Sequence, residues 1–161
     1  MIETREATQA DHESIWEIFH EVIAGGDAFM FDPLMTREEA LQFWVGEGKT
    51  TFVAIHAGEV VGSYYLKANQ PGLGSHVANA GYMVRASGRG LGVGRAMGEH
   101  SLREAARQGY LAMQFNFVVS INAPAVRLWM DLGFAIVGTV PKAFRHHRNG
   151  LVDVYVMHRF L

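Results

Sequence analysis

A glycine-rich turn at 88–94 constrains the fold more than any other part of this sequence. Four glycines alternate there with other residues, after a β-rich run and before a helical pattern. A strand, such a turn and a helix together aim backbone N–H groups at an anion. The dinucleotide spacing G-x-G-x-x-G fails, because Val93, Arg95 or Met97 stands where its third glycine belongs, and no Walker sequence occurs. The turn therefore predicts an anionic ligand held in another way, with a purely structural turn as the alternative.

Composition narrows the class of protein. The 161 residues match the commonest size of one domain, so we expect a single domain over 1–161. The formal charge of -2 provides no positive field for a nucleic-acid backbone. The chain has no cysteine, which excludes disulfides, thiolate nucleophiles and cysteine zinc sites. The charged first residues and the lack of a long apolar run predict a soluble cytoplasmic protein.

Hydrophobic periodicity predicts a mixed α/β sheet, because a β-hairpin is followed by strands and helices in alternation. Helices are expected to begin at Asp11 and at Thr36, the second with a T-x-x-E capping box. Two more helices are expected from the glycine-rich turn to about 108 and over 123–132. Loops are expected at 28–35 and 141–150. The predicted strands are 2–7, 51–57, 60–68, 77–85, 111–119, 134–140 and 151–159.

A second motif follows strand 111–119. It reads N-A-P-A-V-R-L-W-M-D-L-G-F over 122–134, and its apolar residues also have the spacing of a core-facing helix. Together with R-G-x-G-x-G over 89–94, in this order along the chain, it resembles the GCN5-related N-acetyltransferases. The resemblance implies an α/β (α+β) fold. Its mixed, mostly antiparallel central sheet would be splayed between the two parallel middle strands and flanked by helices.

The resemblance also implies acetyl-CoA as the cofactor. Its pyrophosphate would bind the N–H groups of the glycine-rich turn, and its pantetheine arm would pair with the backbone of 83–85 in the splayed gap. A backbone N–H near Val84 would stabilise the oxyanion of the reaction. Arg95 is about as well explained as a solvated residue at a helix start. The implied cofactor-binding residues are Met83, Val84, Arg89, Gly90, Leu91, Gly92, Val93, Gly94, Arg95, Asn122, Ala125 and Trp129.

The acid and the base that many members of that family use are absent from their usual places. Asn79 stands near the position of a strand glutamate, and Trp129 stands where a helix tyrosine commonly falls. Proton transfer would then fall to other groups, to water or to none, since a thiol of pKa near ~8.5 leaves readily near neutral pH. Asn116, on an otherwise apolar strand, is expected to be buried and to bind either substrate or the splayed backbone. The candidate catalytic residues are Asn116, Tyr82, Val84 and Asn79.

Substrate-binding residues are expected on the early helix-loop-helix and on loop 141–150, which cover the acceptor in this fold. An arginine in that loop would pair with a substrate carboxylate, and a solvated basic loop is the alternative. A metal site is not expected, because the adjacent His146 and His147 cannot easily face one ion and no H-E-x-x-H sequence occurs. The candidate substrate-binding residues are Phe31, Asp32, Tyr82, Asn116, Arg145 and His146.

The sequence therefore predicts an enzyme that moves an acetyl group from acetyl-CoA directly to the amine of a small molecule. The expected acceptor is an amino acid or an analogue of the phosphinothricin, methionine-derivative or proline-analogue type. Two alternatives stay open, a catalytically weak acyl-CoA-binding sensor and a protein or peptide N-acetyltransferase. A homodimer is expected from the apolar residues Val154, Val156 and Met157. Neither a nucleic acid nor a membrane is an expected partner.

Overall fold

The computed structural model describes all residues from Met1 to Leu161, and its seven strands form one sheet. The strands are β1 (Glu3–Glu6), β2 (Thr50–His56), β3 (Glu59–Ala68), β4 (Val77–Val84), β5 (Ala112–Val119), β6 (Ala135–His146) and β7 (Gly150–Phe160). The α-helices are α1 (His12–Gly25), α2 (Arg37–Trp44), α3 (Val93–Arg107) and α4 (Ala123–Asp131). Short 3₁₀ helices cover Gln9–Asp11, Gly72–Gly74 and Ala86–Gly88.

The strand order across the sheet is β1-β2-β3-β4-β5-β7-β6. Every neighbouring pair is antiparallel except β4 and β5, which are parallel. Helices α1 and α2 pack on one face of the sheet, and α3 and α4 pack on the other, so each face has its own apolar core. This architecture confirms the predicted mixed, mostly antiparallel sheet flanked by helices. None of the helices combines the length and the apolar character needed to cross a bilayer.

Local sequence explains how α1 and α2 cover their face. The predicted capping box is present: Thr36 Oγ1 accepts from the Glu39 N–H at 3.3 Å, and a Glu39 carboxylate oxygen accepts from the Thr36 N–H at 2.8 Å. At the end of α2, Trp44 is fully buried and donates its Nε1–H to Ser63 Oγ on β3 at 2.9 Å. The buried stripe of α1, which includes Ile15, packs into the same core. These contacts fix both helices above β3 and β4.

The predicted loop over 141–150 is wrong, because β6 continues through most of it and only a short turn precedes β7. The pairing of β6 with β7 shifts between Val140 and Phe144. This bulge accommodates Pro141, which has no N–H to offer to a ladder. It also places Lys142 at a φ of 52°, with its N–H donated to Asp153 Oδ1 at 2.9 Å. Lys142, Arg145 and His146 are therefore held on a strand pair, and His147 and Arg148 lie on the turn that joins the two strands.

Two of the residues behind the homodimer prediction serve the chain's own core. Val154 and Met157 are both fully buried within the single chain, and Val156 is half-buried. The sequence pattern that suggested an apolar interface is the pattern of a strand packed against α-helices and neighbouring strands. The argument from these residues is therefore wrong, and the oligomeric state itself stays a prediction.

Candidate active site

Strands β4 and β5 separate soon after they begin. Their parallel register contains two residue pairs and ends at Ala78 and Met113. At the next position the Asn79 side chain takes the place of a ladder bond, since its Nδ2–H donates to the Gln114 carbonyl at 3.0 Å. Strand β5 carries a bulge just beyond this point, a feature that bends strands. The result is a gap between the two middle strands of the sheet, as predicted.

The edge of β4 that faces the gap carries unpaired backbone groups. The Arg85 N–H donates to the Val61 carbonyl of β3 at 2.8 Å. Polar groups alternate in direction along an antiparallel strand, so Met83 also turns its N–H and C=O toward β3. The expectation that Met83 and Arg85 offer backbone to a cofactor is therefore wrong. The residues whose backbone groups face the gap are Ala80, Tyr82 and Val84.

The glycine-rich turn leaves the start of α3 open to a ligand. Gly90 and Gly92 have φ values of 78° and 80°, the left-handed region that glycine adopts at least cost. The first helical hydrogen bond runs from the Ala96 N–H to the Gly92 carbonyl at 3.0 Å. The N–H groups over 92–95 have no acceptor within the protein, as at any uncapped helix start. Four donors and the positive end of the helix dipole therefore converge beside the gap.

The two arginines of this turn differ in their surroundings. Arg95 is held by α4, with its Nη2 at 2.9 Å from Asp131 Oδ2, and its Nη1 lies 3.9 Å from Glu99. Arg89 is exposed and forms no ion pair. Of the two, Arg89 is free to contact a phosphate, and Arg95 already has two carboxylate neighbours.

The second sequence motif, over 122–134, forms a wall of the gap on the face of the sheet that carries α3 and α4. Asn122 precedes α4 and caps it, since its Oδ1 accepts from the Ala125 N–H at 3.4 Å. Trp129 is buried, and its ring centroid lies 4.7 Å from those of Tyr82 on β4 and Phe115 on β5. The helix is therefore anchored to both separated strands by one indole ring.

A cavity of about 280 Å³ passes through the gap from one face of the sheet to the other. Ala125 and Trp129 of α4 line it on one face, and Phe29, Phe31 and Phe43 line it on the other. Its nineteen lining residues include no carboxylate, so no other acidic side chain replaces the strand glutamate whose absence the sequence indicated. A donor that enters on the α3–α4 face and an acceptor that enters on the α1–α2 face would meet between β4 and β5.

Tyr82 has its hydroxyl committed to α3. Ser101 Oγ donates to the Gly98 carbonyl at 2.8 Å, so the Tyr82 O–H donates to Ser101 Oγ at 2.7 Å. Burial raises the pKa of Tyr82 well above its ordinary value. The Tyr82 ring borders the cavity and its backbone faces the gap, whereas its hydroxyl proton is already bound by a neighbour.

The two candidate asparagines differ in their environments, and one of them differs from the expectation. Asn116 is exposed, so the prediction that it is buried is wrong. Its Nδ2–H donates to Asn69 Oδ1 at 2.6 Å, and its Oδ1 accepts from Gln114 Nε2 at 2.9 Å. Asn79 is the buried one, and it binds the splayed backbone as Asn116 was expected to do. Both residues line the cavity.

The predicted substrate-binding residues divide between those in the cavity and those outside it. Phe31 lines the cavity with Tyr82 and Asn116. Asp32 is exposed and caps its own loop, where its Oδ1 accepts from the Leu34 N–H at 2.8 Å, and Arg145 is exposed on β6. The residues that lie outside the cavity lining are Asp32, Arg145 and His146.

His146 and His147 join the turn after β6 to the loop after α1. His146 Nε2 lies 3.1 Å from Asp27 Oδ1 and His147 Nδ1 lies 3.3 Å from it. The potential ligand atoms of the three residues lie within 4.8 Å of one another, so the argument that the two histidines cannot easily face one ion is wrong. The backbone N–H groups of Arg148 and Asn149 donate to His146 Nδ1 at 3.1 and 3.2 Å. The proton of a neutral His146 ring therefore lies on Nε2, which faces the Asp27 carboxylate and then has no lone pair for a metal. We call Asp27, His146 and His147 the tether.

Sequence reasoning missed three residues of the acceptor side, Phe43, Tyr65 and Lys67, which line the cavity. Burial raises the pKa of Tyr65 to about 12, so its hydroxyl stays neutral and is not a base at neutral pH. The available signal was strand alternation, because Tyr65 and Lys67 share one face of β3. That signal says which residues share a face but not that the face borders a gap.

Comparison with known proteins matches the geometry. The model of the Acetyltransferase (GNAT) family matches residues 12–134. A GCN5-related N-acetyltransferase from Kribbella flavida is 44% identical, and its solved structure covers 99% of this chain and 98% of its own with a TM-score of 0.95. N-acetyltransferase aca1 from Schizosaccharomyces pombe is 37% identical over 98 residues, 60% of this chain and 47% of that protein. This chain therefore spans about half the length of that relative.

A phosphinothricin acetyltransferase from Sinorhizobium meliloti, solved in complex with acetyl-CoA, shares the fold. It is 23% identical, with a TM-score of 0.88 over 99% of this chain and 88% of its own. The family model covers most of the sheet, the glycine-rich turn and α4. The chain belongs to the GNAT acetyltransferase family, whose acyl donor is acetyl-CoA.

Proposed function

We propose that this protein transfers the acetyl group of acetyl-CoA directly to the amine of a small molecule, an amino acid or an amino-acid analogue. The observation that carries the proposal is the cavity that passes through the gap between β4 and β5. Because residues from both faces of the sheet line it, a donor and an acceptor would approach from opposite faces and meet between the two strands. No cysteine is present to carry the acetyl group on the enzyme, which favours direct transfer.

The donor side fits acetyl-CoA through backbone groups. The unpaired N–H groups over 92–95 would hold the pyrophosphate, with Arg89 as an additional phosphate contact. The backbone of Ala80, Tyr82 and Val84 would pair with the amide groups of the pantetheine arm, and Asn122 and Ala125 would border it. When bound, acetyl-CoA supplies the activated acetyl thioester.

Catalysis would rest on position and on backbone electrostatics. The ammonium group of the acceptor would first lose a proton to water. Its nitrogen would then bond to the acetyl carbon as the carbon–sulfur bond breaks, coenzyme A would leave as a thiolate, and the second amine proton would pass to water. The Val84 N–H would stabilise the negative charge on the acetyl oxygen, and Asn116 would orient the amine from the acceptor side. Asn79 would act indirectly by keeping the gap open. The ring of Tyr82 would position the reactants, since its hydroxyl is bound to Ser101.

Release of thiol from acetyl-CoA, followed with a disulfide dye, tests the proposal. Candidate acceptors are amino acids, proline analogues, phosphinothricin, polyamines and a basic peptide, and a protein without cysteine adds no background. Thiol release that requires a small amine with a carboxylate group supports the proposal. Binding of acetyl-CoA without release for any acceptor favours the sensor alternative, and preference for the peptide favours protein acetylation. Cytoplasmic location and a homodimer stay predictions.

A further inference from the structure

The acceptor side of the cavity has a positive charge without a partner. Lys67 is the one charged residue among the nineteen that line the cavity. It lies on β3 opposite Asn79, at the place where β4 and β5 separate. No carboxylate lies within 4.0 Å of its ammonium group. A cation that borders an apolar cavity without a partner is suited to an anionic ligand.

A second lysine strengthens the positive charge at this place. Lys49 Nζ lies 4.4 Å from the ring centroid of Phe43 and 5.6 Å from that of Tyr65, both of which line the cavity. Burial, together with the nearby charge of Lys67, lowers the pKa of Lys49. Lys49 also forms no ion pair. Two ammonium groups that repel each other beside one cavity gain stability when an anion lies between or near them.

The remainder of the acceptor side is apolar and aromatic. The rings of Phe29 and Phe31 are stacked with centroids 5.8 Å apart, and Phe31 makes an edge contact with Phe43 at 4.6 Å. Tyr65 continues this wall, with its centroid 5.8 Å from that of Phe43. A side chain of the acceptor that enters this wall would be apolar, because no further charged group faces it.

We propose that Lys67, supported by Lys49, binds the carboxylate of the acceptor, and that the acceptor is therefore a free α-amino acid with an apolar side chain. The inference rests on the proposed function and specifies its substrate class. Lys67 acts as a point charge on the carboxylate, the aromatic wall receives the side chain, and the α-amine is left to face the gap. After the α-ammonium group loses one proton to water, the C–N bond would form at that amine as the C–S bond breaks, coenzyme A would leave as a thiolate, and the second amine proton would pass to water.

The experiment compares amino acids with their amides. Leucine and phenylalanine are tested against leucinamide and phenylalaninamide, which keep the amine and the side chain and lack the carboxylate. Affinity is measured by calorimetry on protein saturated with coenzyme A, and kcat/KM is measured by thiol release. The variants are Lys67→Met, the charge-preserving Lys67→Arg, and Lys142→Met as a matched control on the exposed part of β6.

The wild type is expected to bind each amino acid better than its amide. Lys67→Met should lower affinity for leucine about 30-fold and leave affinity for leucinamide within about twofold, while Lys67→Arg retains most of the preference. Lys142→Met should change neither. Equal binding of acid and amide by the wild type, equal losses for both in Lys67→Met, or no binding of either pair overturns the inference. Thiol release with the amides alone would overturn it and leave the proposed function standing, whereas binding without any thiol release would contradict the proposed function instead.

Discussion

The donor half and the acceptor half of the site are built from different materials. The donor half consists of the glycine-rich turn, the start of α3, the gap-facing edge of β4 and the start of α4, and it offers backbone N–H groups. The acceptor half consists of the loop after α1, the end of α2, β3 and β5, and it offers side chains. Binding by backbone groups depends on local conformation, so it tolerates side-chain substitutions that keep that conformation. Binding by side chains depends on residue identity, so substitutions there alter which ligand fits.

The largest expected effect is on the donor half. Gly92→Val forces a β-branched residue into a left-handed conformation and should raise the acetyl-CoA dissociation constant at least about 100-fold, because several N–H contacts are lost together. Gly58→Val is the matched control, since Gly58 has a φ of 84° in the β2–β3 turn and equally open surroundings. Both variants should lose stability by about 1–2 kcal/mol. Unchanged affinity for acetyl-CoA in Gly92→Val, measured by calorimetry, would contradict the assignment of the glycine-rich turn as its binding site.

A smaller effect is expected when the acceptor half alone is altered. A methyl group at Gly81 would lie 2.7 Å from the ring of Tyr65, so Gly81→Ala must displace that ring. We expect the KM for the acceptor to rise about 10-fold and the acetyl-CoA dissociation constant to stay within about twofold. Gly138→Ala is the control, since its nearest neighbour would be 3.9 Å away. A higher acetyl-CoA dissociation constant in Gly81→Ala would contradict the separation of the donor half from the acceptor half.

The tether should influence the acceptor half only indirectly. Asp27→Ala removes the carboxylate that lies against His146 and His147, which frees the loop that carries Phe29 and Phe31. We expect the KM for the acceptor to rise about threefold without change in the affinity for acetyl-CoA. Asp32→Ala, in the same loop but outside the cavity, serves as the control. Equal effects of the two variants would show that the loop, and not the tether, is responsible.

The smallest effect on the site is expected from a change in stability alone. Arg5 lowers the pKa of the buried Asp11 carboxyl to about 2, mainly through a paired hydrogen bond. The depressed folded-state pKa means that this stabilisation is present above the unfolded pKa, near 3.8, and is lost as pH falls through about 2. Asp11→Asn should therefore remove about 1 kcal/mol at neutral pH, measured by urea unfolding, because the Arg5 side chain is 41% exposed and water screens the pair. Neither binding constant should change, and a change in either would link stability to the site.

The sequence predicted the donor half because that half is local. A strand, spaced glycines and a helix start lie within one short segment, and their ligand follows from backbone geometry. The prediction that the backbone of Met83 and Arg85 faces the gap was wrong. Strand periodicity shows that successive residues alternate, but not which of them direct their backbone groups to β3 and which to the gap. The direction of these groups follows from the separation of β4 and β5, which depends on contacts between strands that are distant in the sequence.

The acceptor half was predicted less well because it is assembled from distant parts of the chain. Phe31 and Lys67 become neighbours of one cavity through the packing of α2 on β3. Pro141 and the polar residues after it have the composition of a loop, and a bulge allows them to stay in a strand. Burial of Asn79 and exposure of Asn116 likewise follow from where the strands part, which strand patterns do not specify.

The unpaired edge of β4 has a consequence for association between chains. A free sheet edge at the rim of a protein is a template for pairing with another chain. Here the free edge lies inside the sheet, between α4 on one face and the aromatic wall on the other. A polypeptide strand would bring side chains against α4 and the aromatic wall, whereas the arm of the proposed cofactor carries its amides on a narrower chain. The unpaired edge would thus serve the chain's own ligand instead of a neighbouring protein.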